Sequence, residues 1–214
     1  MTSGAIPAFA LYLFDVDGTL LDSAADICFA VQSVLQRRSP NHSSDEFVRS
    51  YIGRHLSELF TGAIPGITPP EIDALIDEYR AIYLSRGHMS TAVYPGVDAA
   101  LSSLGGRKAT ATTKSTKTTR AVLERFGLLH YFDLIQGTDG FPAKPAPDVI
   151  RKSLDHFGVA PQDCLLVGDS TADMEAGLAA GVRVCAVRYG YGKHDELARF
   201  RPDYWIDDLR ELLS

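Results

Sequence analysis

The chain has 214 residues, of which 45% are hydrophobic and 22% are charged, which is ordinary for a globular protein. Its formal net charge of −6 argues against nucleic acid or an anionic membrane as a partner, because both are bound by basic surfaces. No apolar stretch is long enough to span a membrane, and the N-terminus lacks the basic start of a signal peptide. We therefore expect a cytoplasmic protein, present as a monomer or a homodimer.

The cysteines give a second indication of the compartment. Cys28, Cys164 and Cys185 are an odd number and show no C-x-x-C spacing. Two of them lie in apolar runs, where a reduced thiol behaves as a small hydrophobic side chain. This pattern favours free thiols in a reducing compartment.

Short apolar runs predict buried strands over residues 10–14, 108–113, 134–136, 164–167 and 183–188. Helical patterns that end at or next to a glycine separate the later runs, over residues 118–126, 149–157 and 172–180. Strands that alternate with helices of this length are typical of a parallel sheet covered on both faces. The sequence therefore predicts an α/β protein with a Rossmann-like parallel sheet core and helices on both faces.

Residues 22–91 interrupt this alternation. The segment carries helical patterns at 24–36, 45–51, 56–61 and 70–85, and Pro70 suits the first turn of the last helix. We predict that residues 22–91 form an inserted all-helical cap domain. The catalytic core would then consist of residues 1–21 and 92–214.

The stretch FDVDGTLLDS, residues 14–23, places three carboxylates directly after the first predicted strand. Asp15 and Asp17 would project to the same side at the carboxyl end of that strand, where open α/β sheets bind ligands. Gly18 permits a sharp turn and leaves room for a bound group. A solvated D-G turn is the alternative. A calcium-binding EF-hand loop is excluded, because a strand precedes the motif and its twelfth position is Asp26 rather than glutamate.

A second acidic pair, Asp169 and Asp173, follows the fourth predicted strand. Ser170 and Asp173 match a helix capping box, which could explain Asp173 but not Asp169. Carboxylates that converge at one sheet edge repel one another unless a cation lies among them, and oxygen ligands of this kind suit Mg²⁺. The predicted magnesium ligands are Asp15, Asp17, Asp169 and Asp173.

The remaining candidates are groups that bind phosphate. Prolines on both sides of Lys144 favour an extended loop there, although a turn before a helix would use prolines too. Thr112, Thr113 and Lys114 follow the second predicted strand and offer hydroxyl and N–H groups to phosphate oxygens, but threonines are also common helix caps. A carboxylate nucleophile, an acid/base, a cation and a metal together indicate phosphoryl transfer.

Three motifs carry a family resemblance: Asp15-Val-Asp-Gly-Thr19, Lys144-Pro and Gly168-Asp-x-x-x-Asp173. In these motifs and in their order, the chain resembles the haloacid dehalogenase superfamily, and within it the phosphoglycolate-phosphatase-like hydrolases with an inserted helical cap. The resemblance implies a Mg²⁺-dependent phosphatase that hydrolyses small phosphate monoesters, with 2-phosphoglycolate as a candidate, through an aspartyl-phosphate intermediate. Its partner would be a small phosphorylated metabolite.

The resemblance also implies roles for the catalytic residues. Asp15 would attack phosphorus, and Asp17 would protonate the leaving oxygen and then activate the hydrolytic water. Thr112 and Lys144 would bind the transferring phosphoryl group, with the N–H of Thr113 contributing. Gly18 would leave space for that group.

The implied magnesium shell consists of the Asp15 carboxylate, the Asp17 main-chain carbonyl and Asp169, with Asp173 binding through water or from outside the shell. One position departs from the family pattern. Many relatives have asparagine where this chain has Thr113, a change that keeps the backbone N–H but alters the side chain.

Other branches and classes compete with this interpretation. Dehalogenases typically lack the second aspartate, so Asp17 argues against them. Phosphomutases of the β-phosphoglucomutase type usually show D-x-D-G-V, so Thr19 favours a hydrolase. A phosphoacceptor signalling module would combine similar residues, but the helical insertion and Asp17 disfavour it. A binder without activity is a further alternative, which the intact acidic motifs disfavour.

The cap is expected to set substrate choice by closing over the pocket. Arg54 and His55 are candidates for recognising an anionic group, because arginine suits a carboxylate. The alternative is that both residues only solvate the start of a helix.

Overall fold

The computed structural model describes residues 5–213. Its strands are β1 (Leu11–Phe14), β2 (Leu21–Asp22), β3 (Ala92–Val93), β4 (Arg107–Thr110), β5 (Cys164–Gly168), β6 (Arg183–Val187) and β7 (Tyr204–Ile206). Its α-helices are α1 (Ala24–Leu35), α2 (Asp45–Arg49), α3 (Leu56–Ala63), α4 (Pro69–Ser85), α5 (Val97–Ser103), α6 (Thr116–Arg125), α7 (Asp148–Phe157), α8 (Thr171–Ala180) and α9 (His194–Ala198). Short 3₁₀ turns cover Pro40–His42, Leu129–Tyr131, Pro161–Asp163 and Leu209–Leu213.

Five of these strands form one parallel sheet in the order β4-β1-β5-β6-β7. The central strands β1 and β5 are buried along their whole length, which explains why both read as continuous apolar runs. The pairing of Phe14 with Val167 brings the carboxyl ends of these two strands level. Loops that leave β1 and β5 therefore start beside each other.

Helices cover both faces of the sheet. Tyr12 and Phe14 of β1 join an apolar cluster that includes α5 and α6, whereas Leu11 and Leu13 join a second cluster that includes α7 and α8. This alternation is the two-residue period of a strand that is buried on both sides. The predicted α/β class, with a parallel sheet and helices on both faces, is confirmed.

Some predicted strands differ from the structure. Residues 134–136 do not form a strand, and Leu134 makes only an isolated bridge to Ala109. Backbone pairing with β4 reaches only as far as Leu134, whose carbonyl accepts from the Thr110 N–H at 3.2 Å. Beyond it, the Thr110 hydroxyl bonds both the N–H and the carbonyl of Gln136, at 2.8 and 2.9 Å. The strand predicted over 108–113 ends at Thr110, and the short strands β2, β3 and β7 have no counterpart in the prediction.

The segment between β2 and β3 contains α1 to α4, and the two short strands pair antiparallel at its two ends. Helix α4 begins where Glu71 accepts hydrogen bonds from the N–H and the hydroxyl of Thr68, at 2.9 and 2.6 Å. Apolar residues of these helices belong to the same buried cluster as one face of the sheet. The division into cap and core domains stays a prediction. Between residues 5 and 213 no helix has the length and apolar character needed to cross a membrane.

The three cysteines are buried and free. The apolar runs predicted burial for Cys164 and Cys185 but gave no sign of it for Cys28. Cys164 and Cys185 lie in β5 and β6, and Cys28 lies in α1. Each fills apolar space as a thiol.

A buried carboxylate ties the beginning of the helical segment to its end. Asp26, in the first turn of α1, accepts hydrogen bonds from the Arg86 guanidinium, the Thr91 hydroxyl at 2.7 Å and the Ser90 N–H at 3.0 Å. Burial alone would raise the pKa of Asp26, but the bonds from Thr91, Arg86 and Ser90 lower it below its usual value. Asp26 therefore favours the folded state when it is ionised.

Replacing Asp26 with asparagine is expected to lower the free energy of unfolding by about 2 kcal/mol, because buried donors lose a charged acceptor. Urea unfolding followed by circular dichroism measures this loss. The stabilisation is present above the pKa of the unfolded carboxyl and is lost as pH falls through the lower folded pKa, so the difference between variant and wild type should shrink in acid. Asp77→Asn, which removes an exposed pair with Arg80, should change stability by less than about 0.5 kcal/mol. Equal effects of the two substitutions would contradict this assignment.

Candidate active site

Polar side chains converge at the carboxyl edge of the parallel sheet. Asp15 follows β1, Thr112 lies just beyond β4, and Asp169 follows β5. All three are almost completely buried. Buried polar groups require partners, so their contacts define what the site can bind.

Lys144 is fully buried at the centre of this edge. Its ammonium lies 2.9 Å from Asp15 Oδ1 and 2.5 Å from Asp173 Oδ1. Burial would lower the pKa of Lys144, but the charges of Asp15 and Asp173 raise it above its usual value, so the side chain is protonated. Lys144 comes from the loop before α7 and not from the end of a strand, because residues 134–136 form no strand.

Asp15, Asp169 and Asp173 form a cluster of buried carboxylates, with oxygen atoms within 4.8 Å of one another. Burial is the main cause that raises the pKa of Asp15 to about 7; Lys144 lowers it, while Asp173 and Asp17 raise it. Burial, Asp15 and Asp173 likewise raise the pKa of Asp169 well above its usual value. The cluster thus holds three carboxylates but only one ammonium, that of Lys144, which contacts two of them. A divalent cation with oxygen ligands would balance the excess negative charge. The donor set therefore fits Mg²⁺.

Asp169 is held in place by its neighbours. Its Oδ1 accepts a hydrogen bond from the Thr19 hydroxyl at 3.1 Å, and its Oδ2 accepts one from the Tyr191 N–H at 2.8 Å. Gly18 has a φ of +86°, and a Cβ at that position would lie 2.2 Å from Asp169 Oδ2. Gly18 is therefore required both by the turn and by the close approach of this carboxylate.

Each carboxylate oxygen of Asp173 contacts a different residue. Its Oδ2 accepts from the Ser170 N–H at 3.0 Å and from the Ser170 hydroxyl at 2.6 Å, which completes the capping box of α8. Its Oδ1 contacts Lys144. The capping and site interpretations of Asp173 are therefore both consistent with its position.

Asp17 lies apart from the carboxylate cluster. Its Oδ2 is 2.9 Å from the ammonium of Lys114, and its Oδ1 accepts a hydrogen bond from the Ser23 hydroxyl. Ser23 precedes α1, and its hydroxyl bonds Asp17 instead of capping the helix. The role implied for Asp17 as a ligand through its main-chain carbonyl stays a prediction.

The loop after β4 supplies the predicted phosphate-binding groups. The buried Thr112 hydroxyl accepts a hydrogen bond from the Lys114 N–H at 3.3 Å, and the Lys114 ammonium lies 4.5 Å from the centre of the Tyr83 ring. Thr113 lines the adjoining cavity. This loop therefore contacts both the sheet edge and helix α4.

A cavity separates this edge of the sheet from helices α1 to α4. Arg54 and His55, the predicted cap candidates, both line it together with Lys114 and Asp17. His55 also caps α3, since its Nδ1 accepts from the Ser57 N–H at 3.3 Å. His55 therefore both caps α3 and lines the cavity, and its recognition of an anionic group stays a prediction.

The loop before α3 closes tightly over the site. A Cβ at Gly53 would lie 2.8 Å from Ser170 Cβ, and Gly53 has a φ of +93°. Arg54 pairs loosely with Glu58 at 3.7 Å and is exposed. Its guanidinium is therefore close to the cavity but only weakly engaged by the protein.

Three contact residues received no site role in the sequence analysis. Thr19 was used only to compare families, although it bonds Asp169, and Ser23 lies in the same acidic stretch but carries no distinctive signal. The Tyr191 N–H bonds Asp169, and its hydroxyl accepts from the N–H groups of Ser23 and Ala24 at 2.7 and 3.0 Å. Only the spatial proximity of distant segments identifies Tyr191.

Comparison with known proteins identifies the family. The family model described as haloacid dehalogenase-like hydrolase matches residues 12–187. The chain belongs to this family. This membership confirms the resemblance based on Asp15-Val-Asp-Gly-Thr19 and the later motifs.

Named relatives of this hydrolase are phosphatases. It is 36% identical to phosphoglycolate phosphatase 1 of Pseudomonas aeruginosa, covering 99% of this chain and 83% of the relative. It is 30% identical to the phosphoglycolate phosphatase of Nitrosococcus oceani, covering 94% of each chain. A crystal structure described as a predicted phosphatase from Clostridium acetobutylicum superposes with a TM-score of 0.87 at 30% identity, covering 96% of this chain and 97% of the other. The expectation of a phosphoric monoester hydrolase is thus confirmed.

The close approach of Gly18 to Asp169 generates a test on this haloacid dehalogenase-like hydrolase. Gly18→Ala should reduce turnover of an aryl phosphate by about 100-fold, because the new methyl group must displace Asp169. Gly66→Ala is the matched control, since Gly66 also has a positive φ, +79°, but open space around its Cβ. Both variants should lose about 1–2 kcal/mol of stability through backbone strain. Equal activity of the two variants would refute the role of Gly18.

Proposed function

We propose that this protein is a Mg²⁺-dependent phosphatase that hydrolyses small phosphate monoesters through an aspartyl-phosphate on Asp15. The observation that carries the proposal is the separation of two neighbouring carboxylates. Asp15 faces Lys144 and the other buried carboxylates, whereas Asp17 faces Lys114 and Ser23. Two carboxylates in different surroundings suit one nucleophile and one acid/base.

In the first half of the reaction, a carboxylate oxygen of Asp15 attacks phosphorus, and the bond from phosphorus to the ester oxygen breaks. The Asp17 carboxyl group gives its proton to the departing oxygen, which leaves as an alcohol. Lys144 and the Thr112 hydroxyl hold the phosphoryl oxygens while the bonds change. Mg²⁺, held by Asp15, Asp169 and the Asp17 carbonyl, with Asp173 at the edge of its shell, would offset the charge that the phosphoryl group brings.

In the second half, a water molecule attacks the phosphorus of the aspartyl-phosphate. The Asp17 carboxylate, now without its proton, accepts a proton from that water. The bond between phosphorus and Asp15 breaks, inorganic phosphate is released, and both carboxyl groups return to their starting states. Asp17 thus acts as acid and then as base at the same position.

The substrate is proposed to be a small phosphorylated metabolite, with 2-phosphoglycolate the first candidate. The names of relatives at 30% and 36% identity support this choice. The charges around the cavity support it too, because Arg54, Arg80 and Lys114 line it together with Asp17. A cationic lining favours a leaving group that carries its own negative charge. We propose a cytoplasmic location, in keeping with the free thiols.

Asp15→Asn should reduce the rate of phosphate release from 2-phosphoglycolate by at least about 10³-fold, because the nucleophile is removed. The matched control is Asp155→Asn, an equivalent change at an exposed position of α7, which should keep wild-type activity. EDTA should abolish wild-type turnover, and added Mg²⁺ should restore it. Activity that persists in Asp15→Asn or in EDTA would contradict the proposed mechanism.

Asp17→Asn provides a separate test of the two halves of the reaction. With an aryl phosphate, whose leaving group needs little protonation, this variant should still form the phosphoenzyme but hydrolyse it slowly, since no base activates the water. Rapid quenching with acid followed by mass spectrometry measures the phosphorylated fraction at Asp15. A phosphorylated residue other than Asp15 would contradict the assignment of the nucleophile.

A further inference from the structure

We infer that Tyr83 and Lys114 together recognise a carboxylate on the leaving group, so that the enzyme selects phosphate esters whose carboxylate is attached to the carbon bearing the ester oxygen. This inference rests on the proposed function and specifies the substrate class of the same site. It assigns Tyr83, a residue of helix α4, as a specificity-determining residue.

The hydroxyl of Tyr83 is an unsatisfied donor. Tyr83 is 1% exposed and lines the cavity, yet its hydroxyl has no hydrogen-bond acceptor within residues 5–213, since the neighbouring Lys114 ammonium can only donate. An unpaired buried hydroxyl costs free energy, and most such groups in folded proteins are paired. A ligand in the adjoining cavity could supply the missing acceptor.

The ring of Tyr83 is already accounted for by packing. It stacks on Tyr79 with centroids 5.6 Å apart and meets His88 edge-on at 4.9 Å. A phenylalanine would make the same ring contacts. Packing therefore explains the aromatic ring but gives no reason for its hydroxyl.

Lys114 places a positive charge beside the ring of Tyr83. Its ammonium lies 4.5 Å from the centre of the Tyr83 ring and 2.9 Å from Asp17 Oδ2. The Lys114 side chain is 11% exposed, so water screens its charge only weakly. A cation thus contacts the carboxylate that is proposed to protonate the leaving oxygen, and Tyr83 lies next to that cation.

The chemistry of the leaving group connects these observations. When Asp17 contacts the ester oxygen, a carboxylate on the adjoining carbon must lie close to Asp17, and therefore close to Lys114 and Tyr83. A carboxylate accepts hydrogen bonds and donates none, which matches an ammonium and a phenol hydroxyl. A neutral leaving group of similar size leaves the hydroxyl unpaired, and sites of this kind discriminate against such analogues.

The test compares kcat/KM for 2-phosphoglycolate and for ethyl phosphate, which lacks the carboxylate, in wild type and Tyr83→Phe. We expect Tyr83→Phe to lower kcat/KM for 2-phosphoglycolate by about tenfold, because one hydrogen bond to a charged group is lost. The value for ethyl phosphate should change by less than about twofold, since that substrate makes no bond to the hydroxyl. The thermal midpoint of the free enzyme should not fall, because the hydroxyl donates to no acceptor in the folded protein.

Two further variants sharpen the comparison. Lys114→Gln should also reduce the preference for 2-phosphoglycolate over ethyl phosphate, and it should slow both substrates because Lys114 contacts Asp17. Tyr131→Phe is the control, as its hydroxyl bonds Asp98 at 2.7 Å outside the cavity, and it should leave both kinetic values unchanged.

The outcomes distinguish a failure of the carboxylate site from a failure of the proposed phosphatase function. If wild type hydrolyses ethyl phosphate but shows no preference for 2-phosphoglycolate, the proposed carboxylate site is wrong and the proposed phosphatase function stands. The same holds if Tyr83→Phe slows both substrates equally or lowers the thermal midpoint, because the hydroxyl would then be structural. Wild type that hydrolyses neither substrate in Mg²⁺ overturns the proposed function, and the carboxylate site with it.

Discussion

The ammonium of Lys144, fully buried between Asp15 and Asp173, is the interaction on which the site depends. Without a positive charge there, the carboxylates at the sheet edge would repel one another in surroundings that water screens poorly. One ammonium balances only part of that charge, which leaves the cluster suited to a divalent cation. The crowding that makes these acids costly to bury is thus the property that suits them to the proposed metal.

The sheet produces this crowding through its register. Because Phe14 pairs with Val167 in neighbouring parallel strands, the chain leaves both strands at the same level, and Asp15 and Asp169 follow directly. Gly18 then allows the two loops to approach without a side chain between them. Gly168 and Gly190 do the same, since a Cβ at either position would lie 2.4 Å from Asp173 Cγ or 2.2 Å from Asp169 Cβ. The geometry of the cluster therefore follows from strand order and from residues without a Cβ.

The helical segment contacts the proposed acid/base as well as shaping the cavity. Asp17 is held by Ser23, at the start of α1, and by Lys114, whose ammonium also lies over Tyr83 of α4. The proposed acid/base thus touches the sheet loops and the inserted helices at once. A shift of these helices would change the surroundings of Asp17 while leaving the Lys144 contacts of Asp15 in place.

Sequence patterns predicted the residues that follow strands but not the contacts that depend on packing. Asp15 and Asp169 were predictable because short apolar runs and glycines mark the ends of β1 and β5. The contact of Asp17 with Ser23, and the position of Tyr83 beside Lys114, depend on how the inserted helices return to the sheet, which no local pattern encodes.

The incorrect strand over 134–136 has a comparable cause. Backbone pairing with β4 stops at Leu134, and the Thr110 hydroxyl bonds both backbone groups of Gln136 instead; a sequence gives no sign of such an exchange. Asp173 shows the opposite situation, because the sequence contains both the capping pattern and the acidic-cluster pattern. Its Oδ2 makes the capping contact with Ser170, and its Oδ1 contacts Lys144.

The most direct test of this account is calorimetric titration of Mg²⁺ into wild type, Asp169→Asn and Asp17→Asn. Wild type should show one binding site, and Asp169→Asn should lose it, because a carboxylate of the cluster is removed. Asp17→Asn should retain the site, since its side chain lies apart from the cluster and only its main-chain carbonyl is proposed as a ligand. Mg²⁺ binding by Asp169→Asn as tight as that of wild type would contradict the central claim that this cluster exists to hold the metal.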